Sequence, residues 1–364
     1  MSQTGNGIIL KLEGITKEFG DFLALRGISL DIMEGEFLTI VGPSGSGKTT
    51  MARLLVGMDR PTAGDIHLRG ERINDVPANQ RPTCMVFQSL ALFPHRSVGE
   101  NIEFPLKIRK VAPAARRERA LELMALLRLP KDYYGKNVML CSGGEKQRVA
   151  LARALAFDPE ILFFDEPLAA LDFRLRKTLE KELKDLHRET GKTFVYITHS
   201  LEEAMVMSDR IAIMRRGKIE QIGSPDEIYN TPINRFVAQF MGEVNLFEVR
   251  TAPNGRLICP ELDAEFASPD ASLPEDREAT LMVRPEAVRF LGPCETADCV
   301  LEGVVFNEYA LGSRLQYSVH VGNKTLSVEK LREDRYQGAL DSKVLIGWDV
   351  EDSRLLDVRE SGHG

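Results

Sequence analysis

The densest chemistry in the chain lies in FLTIVGPSGSGKTT, residues 37–50. Gly42, Gly45 and Gly47 let successive backbone N–H groups turn toward phosphate oxygens. Lys48 adds a point charge for β- and γ-phosphates, and the Thr49 hydroxyl suits Mg²⁺. Pro43, Ser44, Ser46 and Thr50 complete the same binding loop. An apolar strand precedes it and a helical run follows from Thr49, the context a phosphate loop requires. Such a loop needs an acidic partner at the end of a neighbouring strand, and ILFFDEP (161–167) supplies one. Asp165 suits the Mg²⁺ shell, and Glu166 suits a group that orients and polarises water for attack on phosphorus. A second anion grip follows in CSGGEKQRVALARAL (141–155), where the Ser142 hydroxyl, the Gly143 and Gly144 backbone and a helix N-terminus come together. Why one chain should carry two phosphate grips is the question the sequence poses.

The elements that must position these residues alternate along the chain. Residues 8–41 (IILKLEGI, FLALRGISLDI, EFLTIV) read as several short strands with glycine breaks. Helical periodicity runs over 116–129, 145–157 and 173–189. ILFF (161–164) and TFVYIT (193–198) read as buried parallel strands. From Val244 onward the texture changes to short alternating runs such as LMVRPEAV, VLEGVVF and RLQYSVHV between Pro and Gly breaks. These predict a separate small β domain.

With 364 residues, 43% hydrophobic and 28% charged, the composition is that of a globular protein with a sizeable core. A net charge of −7 argues against a nucleic-acid-coating surface. Clusters such as Arg116-Arg117 and Arg215-Arg216 read as solvated faces. The five cysteines contain no CxxC pair, which predicts reduced thiols and no disulfide framework. MSQTGNGIIL lacks the pattern of a leader, and no apolar run approaches the length of a membrane span.

The order of the glycine-rich loop, CSGGEKQR, ILFFDEP, LAALD and a lone His in ITHS resembles the ATP-binding cassette (ABC) ATPases over about residues 8–240. The resemblance implies an α/β P-loop cassette over 1–242, with a RecA-like core, an antiparallel β subdomain and a helical subdomain at about 88–158. A small all-β, OB- or TOBE-like domain over 243–364 follows it. The resemblance implies ATP and Mg²⁺, and a head-to-tail homodimer. In that dimer Ser142, Gly143 and Gly144 cap the γ-phosphate held by the other copy, so one grip is for self and one for the neighbour. It also implies that Gln88 senses Mg²⁺ and the attacking water, that His199 contacts γ-phosphate, that Asp172 lies at the dimer seam, and that Phe19 in KEFG stacks on adenine.

Two positions depart from the family pattern LSGGQ. Cys141 replaces Leu, a mild change to another small apolar residue. Glu145 replaces Gln and adds an anion near a triphosphate, unless it points away or meets Lys146 or Arg148. RPTCMVFQSLALFPHRSVGENIEFPL resembles the segment that docks on an importer permease, and MVRPEAV (282–288) resembles the R-P-E element of importer ATPases of the maltose and polyamine type. RFVAQFMGEVNLFEV resembles the junction in spermidine/putrescine importers. Importers of iron, sugars, opines and phosphonates compete with that reading. The implied setting is a peripheral subunit on the cytoplasmic membrane face, with two permease chains, an extracytoplasmic solute-binding protein reached indirectly, and no nucleic acid. A soluble cassette switch is the competing class. A GTPase is excluded, because the Asn323-Lys324-Thr325-Leu326 run lacks the Asp of a guanine-reading motif.

Overall fold

The strands FLTIV and TFVYIT are buried at every position, yet each still obeys a period of two. The computed structural model that places them describes residues 7–169, 171–252, 255–270 and 272–360. The opening six residues, read above for a leader, lie outside the described residues, as does Ala170 of LAALD. The chain divides into two compact units, Met1–Pro225 and Asp226–Gly364. This division falls ahead of the sequence-based boundary at 242.

The first unit runs β1 (Ile8–Phe19), β2 (Phe22–Met33), β3 (Phe37–Val41), α1 (Lys48–Leu55), β4 (Ala63–Leu68), β5 (Glu71–Arg72) and β6 (Thr83–Val86). Helices α2 (Val98–Ile108), α3 (Pro113–Leu126) and α4 (Gly143–Ala156) follow. Then come β7 (Ile161–Asp165), α5 (Phe173–Thr190), β8 (Thr193–Thr198), α6 (Leu201–Met207), β9 (Arg210–Arg215) and β10 (Lys218–Gly223). A six-stranded sheet has the order β10-β9-β3-β8-β7-β6, parallel except for the β9–β10 hairpin. A four-stranded antiparallel sheet has the order β2-β1-β4-β5.

Alternation along the central strands sorts their side chains into two cores. Leu38, Ile40, Ile161, Phe163, Val195 and Ile197 pack with α1 and the antiparallel sheet. Phe37, Leu162, Phe164, Phe194 and Tyr196 face the opposite way, into the core built by α2 to α5. The expectation of several short strands over 8–41 is corrected, because β1 and β2 are twelve residues each. Gly27, with φ +74°, is the extra residue where the register shifts between Ile15↔Ile28 and Thr16↔Arg26, so it bulges the strand without ending it.

In the second unit α7 (Pro225–Asn230) and α8 (Arg235–Phe240) lead into strands β11 (Asn245–Thr251), β12 (Arg256–Cys259), β13 (Ala264–Ala267), β14 (Arg277–Val283) and β15 (Arg289–Leu291). Strands β16 (Cys299–Leu311), β17 (Arg314–Val321), β18 (Lys324–Leu331), β19 (Ser342–Trp348) and β20 (Ser353–Glu360) complete it. They form two five-stranded antiparallel sheets, β13-β12-β11-β14-β20 and β15-β19-β16-β17-β18, which share one core. Arg284 of the R-P-E element is enclosed. Its guanidinium donates to the carbonyls of Tyr229 (2.8 Å), Ala238 (3.0 Å) and Glu243 (3.2 Å), so it closes carbonyls around the ends of α7 and α8. At the centre Trp348 stacks on Phe247, with centroids 5.4 Å apart, and meets Phe266 at 5.3 Å. Trp348 is the single tryptophan of the chain, so its emission reports this unit alone. Phe266→Ala is expected to destabilise the unit by about 3–5 kcal/mol. Denaturation followed at Trp348 checks this, with the first unit followed separately by nucleotide protection. The five cysteines form no disulfide in the structure. No helix among the described residues is long and apolar enough to cross a membrane.

Candidate functional site

Pairing of Val41 with Thr198 and of Asp165 with Ile197 brings the carboxyl ends of β3, β8 and β7 side by side. The three loops that leave this edge carry Gly42–Thr50, Asp165-Glu166 and His199. Open parallel sheets bind ligands at this edge. Gly42 must be glycine, because a Cβ there would sit 2.2 Å from the Met214 carbonyl oxygen. Gly47 has φ +105°, and its Cβ would lie 3.0 Å from the Ala24 carbonyl, so strand β2 passes directly against the loop.

Lys48 is buried, and its Nζ donates to the carbonyls of Gly42 (2.8 Å) and Pro43 (3.1 Å). Burial pulls its pKa down, and the charges of Glu166 and then Asp165 oppose that. The Asp165 carboxyl is pushed up by burial first and by Glu166 second, against the pull of Lys48. Inside the loop the Ser46 hydroxyl is buried without a hydrogen-bond partner. An orphaned donor in a glycine-rich turn ahead of a helix N-terminus fits an incoming phosphate oxygen. Among the described residues no cluster of three or more His, Cys, Asp or Glu side chains could cage a metal unaided.

Glu166 holds a left-handed backbone, φ +47°, which is strained for a residue with a Cβ. Its N–H donates to the Ile197 carbonyl at 2.9 Å, which ties it to the neighbouring strand. That posture sets its Oε2 3.3 Å from His199 Nδ1. Gln88 is exposed just after β6. The chain then turns through Leu90 and Ala91, both with positive φ. Arg153 of α4 donates to both of their carbonyls at 2.7 Å and clamps the turn. The sequence reading missed Arg153, and LARAL offers no motif that would single it out.

The second grip is a helix start. Ser142 caps α4, accepting from the Glu145 N–H at 3.3 Å, while Glu145 Oε2 accepts from the Ser142 N–H at 2.7 Å. This is a capping box. Glu145 meets neither Lys146 nor Arg148. Its carboxylate is 3.9 Å from Lys136, and Arg148 pairs with Glu182 at 2.6 Å. The bond from the Ser142 N–H holds the Glu145 carboxyl below the usual range. The anion that replaces the family's Gln is therefore turned back into the helix terminus, where the Ser142 N–H and hydroxyl both hold it. Cys141 is buried in the helical core, in keeping with the mild change read from sequence. Asp172 caps α5, accepting from the Leu175 N–H at 3.1 Å. A Cβ on Gly144 would lie 2.9 Å from Leu175 Cδ1, so the starts of α4 and α5 abut.

The site residues thus fall into two sets. One lies on the edge of β3, β7 and β8, and the other is Ser142–Gly144 with Asp172. Helix α4 packs on α2, α3 and the edge strand β6, whereas the phosphate loop leaves the interior strand β3. Phe19 stands at the tip of the β1–β2 hairpin, 51% exposed and opposite Phe22, which rules out a core role.

A family model for ABC transporters matches residues 25–169, and one for the TOBE domain matches residues 281–356. The spermidine/putrescine import ATP-binding protein PotA of Bacillus cereus is 41% identical over 361 residues, 96% of this chain and 99% of its own. Its namesake in Roseobacter denitrificans is 44% identical over 324 residues, 88% and 89% of the two chains. The chain belongs to the ABC transporter family. Among solved structures, the cassette MJ0796 in a dimeric post-hydrolysis state bound to ADP and Pi aligns with a TM-score of 0.53 at 35% identity. It covers 59% of this chain and 98% of that one. CbiO1 from Clostridium perfringens, part of an ABC transporter complex, aligns with a TM-score of 0.56 at 28% identity, covering 61% and 90%. The expected ABC cassette followed by an all-β TOBE domain is borne out. As an ABC ATPase, the chain binds and hydrolyses ATP.

Proposed function

We propose that this chain is the ATP-hydrolysing subunit of a bacterial importer for polyamines of the spermidine/putrescine class. It works as a head-to-tail homodimer beneath two permease chains, on the cytoplasmic face of the membrane, with a solute-binding protein reached only through the permeases. The observation that carries the catalytic part is the meeting of Lys48, Asp165, Glu166 and His199 at one sheet edge. The substrate rests on likeness along nearly the whole chain to relatives named for spermidine/putrescine import.

The Gly42–Gly47 backbone and Lys48 hold the triphosphate, and Ser46 satisfies its orphaned hydroxyl on it. Thr49 and Asp165 would hold Mg²⁺, with Gln88 at its edge, a small donor set in keeping with an ion that shares phosphate oxygens and water. When bound, the ion neutralises charge on the β- and γ-oxygens. Glu166 accepts the proton of the attacking water. His199, fixed through Nδ1 beside Glu166, leaves its other ring nitrogen for the γ-phosphate. Ser142, Gly143 and Gly144 of the second copy complete the anion site, with Asp172 at the seam. Most of the rate comes from positioning and charge stabilisation.

Labelled spermidine and putrescine uptake in a strain lacking this chain, complemented with wild type or Glu166→Gln, tests the reading. Restoration by wild type alone supports it. Uptake that never depends on the chain removes the polyamine assignment. For adenine, the exposed Phe19 ring is the stacking platform. Stacking a base on an aromatic is worth about 1 kcal/mol or more, so Phe19→Ala is expected to raise KM for ATP about five- to tenfold with kcat unchanged. Steady-state phosphate release checks this.

A further inference from the structure

A buried polar network that the site does not use joins α5, β8 and α6. Glu203 is only 3% exposed. Its carboxylate accepts from Thr198 Oγ1 at 2.7 Å and from the Tyr196 hydroxyl at 3.0 Å. Burial, and then Glu203 itself, push the Tyr196 hydroxyl far above its ordinary range, so it stays a donor. Thr198 Oγ1 in turn accepts the Ser200 N–H at 3.0 Å, and the Ser200 hydroxyl accepts the Glu203 N–H at 3.3 Å. Glu203 therefore grips both residues that flank His199.

The other end of the network is Arg176. Its Nη2 donates to the Leu171 carbonyl at 3.0 Å, and its own N–H donates to the Asp172 carbonyl at 2.9 Å. Its Nε is buried with no hydrogen-bond partner and points at Glu203 Oε1 across 4.0 Å. That gap is too long for a hydrogen bond and short enough for one to form by a small shift. A buried carboxylate facing an unsatisfied guanidinium nitrogen is costly unless the pair closes. The closing movement would draw the Leu171-Asp172 turn toward the Thr198–Ser200 turn.

We propose that Arg176 and Glu203 are positioning residues that couple the loop carrying Asp172 to the turn carrying His199. The inference rests on the ATPase reading above, because it makes seam contact at Asp172 set the posture of His199. Neither residue is among those assigned to the nucleotide above, so the coupling acts on turnover and leaves ATP binding alone.

The test is ATP hydrolysis by the purified full chain. The variants are Glu203→Gln, which keeps the volume and removes the charge, Arg176→Met, Arg176→Lys, and the Glu203→Gln/Arg176→Met pair. Expected are kcat losses of about tenfold in Glu203→Gln and in Arg176→Met with KM for ATP unchanged, recovery of most of the loss in Arg176→Lys, and a double variant no worse than the poorer single. Arg176 is the more exposed partner, so its variants fold even where Glu203→Gln lowers Tm. Turnover within twofold of wild type, or losses that multiply in the double variant, would overturn the coupling. If wild type hydrolyses ATP and Glu166→Gln does not, such a result removes this inference alone. If wild type fails to hydrolyse ATP, the ATPase reading itself has failed.

Discussion

Glu166→Gln is expected to stop turnover and to tighten ATP binding at once. The substitution keeps the side chain's shape, its strained backbone and its seat beside His199. What it removes is the carboxylate proposed above to accept the proton from water. General-base contributions run to about 10²–10⁴, so kcat should fall at least about a hundredfold. The charge matters in a second way. Glu166 acts on Lys48 more strongly than Asp165 does, so it places negative charge where the triphosphate must enter. Neutralising it lowers repulsion without unmaking the loop. ATP should then hold two copies together, visible by size exclusion as a dimer present with ATP and lost with ADP. Phosphate release at the wild-type rate would remove Glu166 as the base.

The parts of the site that were legible in sequence are those whose chemistry dictates spacing. A phosphate loop needs glycine at fixed intervals because a Cβ at Gly42 would overlap Met214, and no neighbouring residue can compensate for that. Asp165-Glu166 and His199 were found because each ends an apolar run, and such runs are the interior strands of a parallel sheet. The fold class followed from the same runs. Which core each side chain enters did not, because a strand buried on both faces hides its alternation in composition. The twelve-residue strands were read as several short ones because a glycine at a bulge looks like a break until the partner strand is known. The roles of polar residues that act through backbone carbonyls were also invisible. Arg153 clamps Leu90 and Ala91, and Arg284 closes the ends of two helices, yet carbonyl acceptors leave no trace in sequence. Glu145 was read as a liability from its charge. Its place three residues into a helix capped by Ser142 makes it half of a capping box, a pattern present in SGGE and overlooked.

Complementation between two dead variants is the sharper test of why there are two grips. Lys48→Ala removes the charge from the first grip, and Ser142→Arg blocks the second. Ser142 is exposed, so the larger side chain is tolerated at the cost of a cap worth about 1 kcal/mol. Each variant alone should be inactive. Mixed in equal amounts, random pairing makes half of the dimers mixed, and each mixed dimer pairs an intact phosphate loop with an intact Ser142 once. The mixture should recover about a quarter of wild-type phosphate release if one composite site turns over by itself. If Ser142 instead served the loop of its own chain, no pairing would rebuild a site and the mixture would stay inactive. The structure favours the first outcome. Helix α4 is held by α2, α3 and β6, while the loop it would have to reach leaves β3, three strands further into the sheet. The exposed Ser142 hydroxyl, two glycines and a helix terminus, with Glu145 engaged in the capping box, make up the grip that the mixed dimer tests.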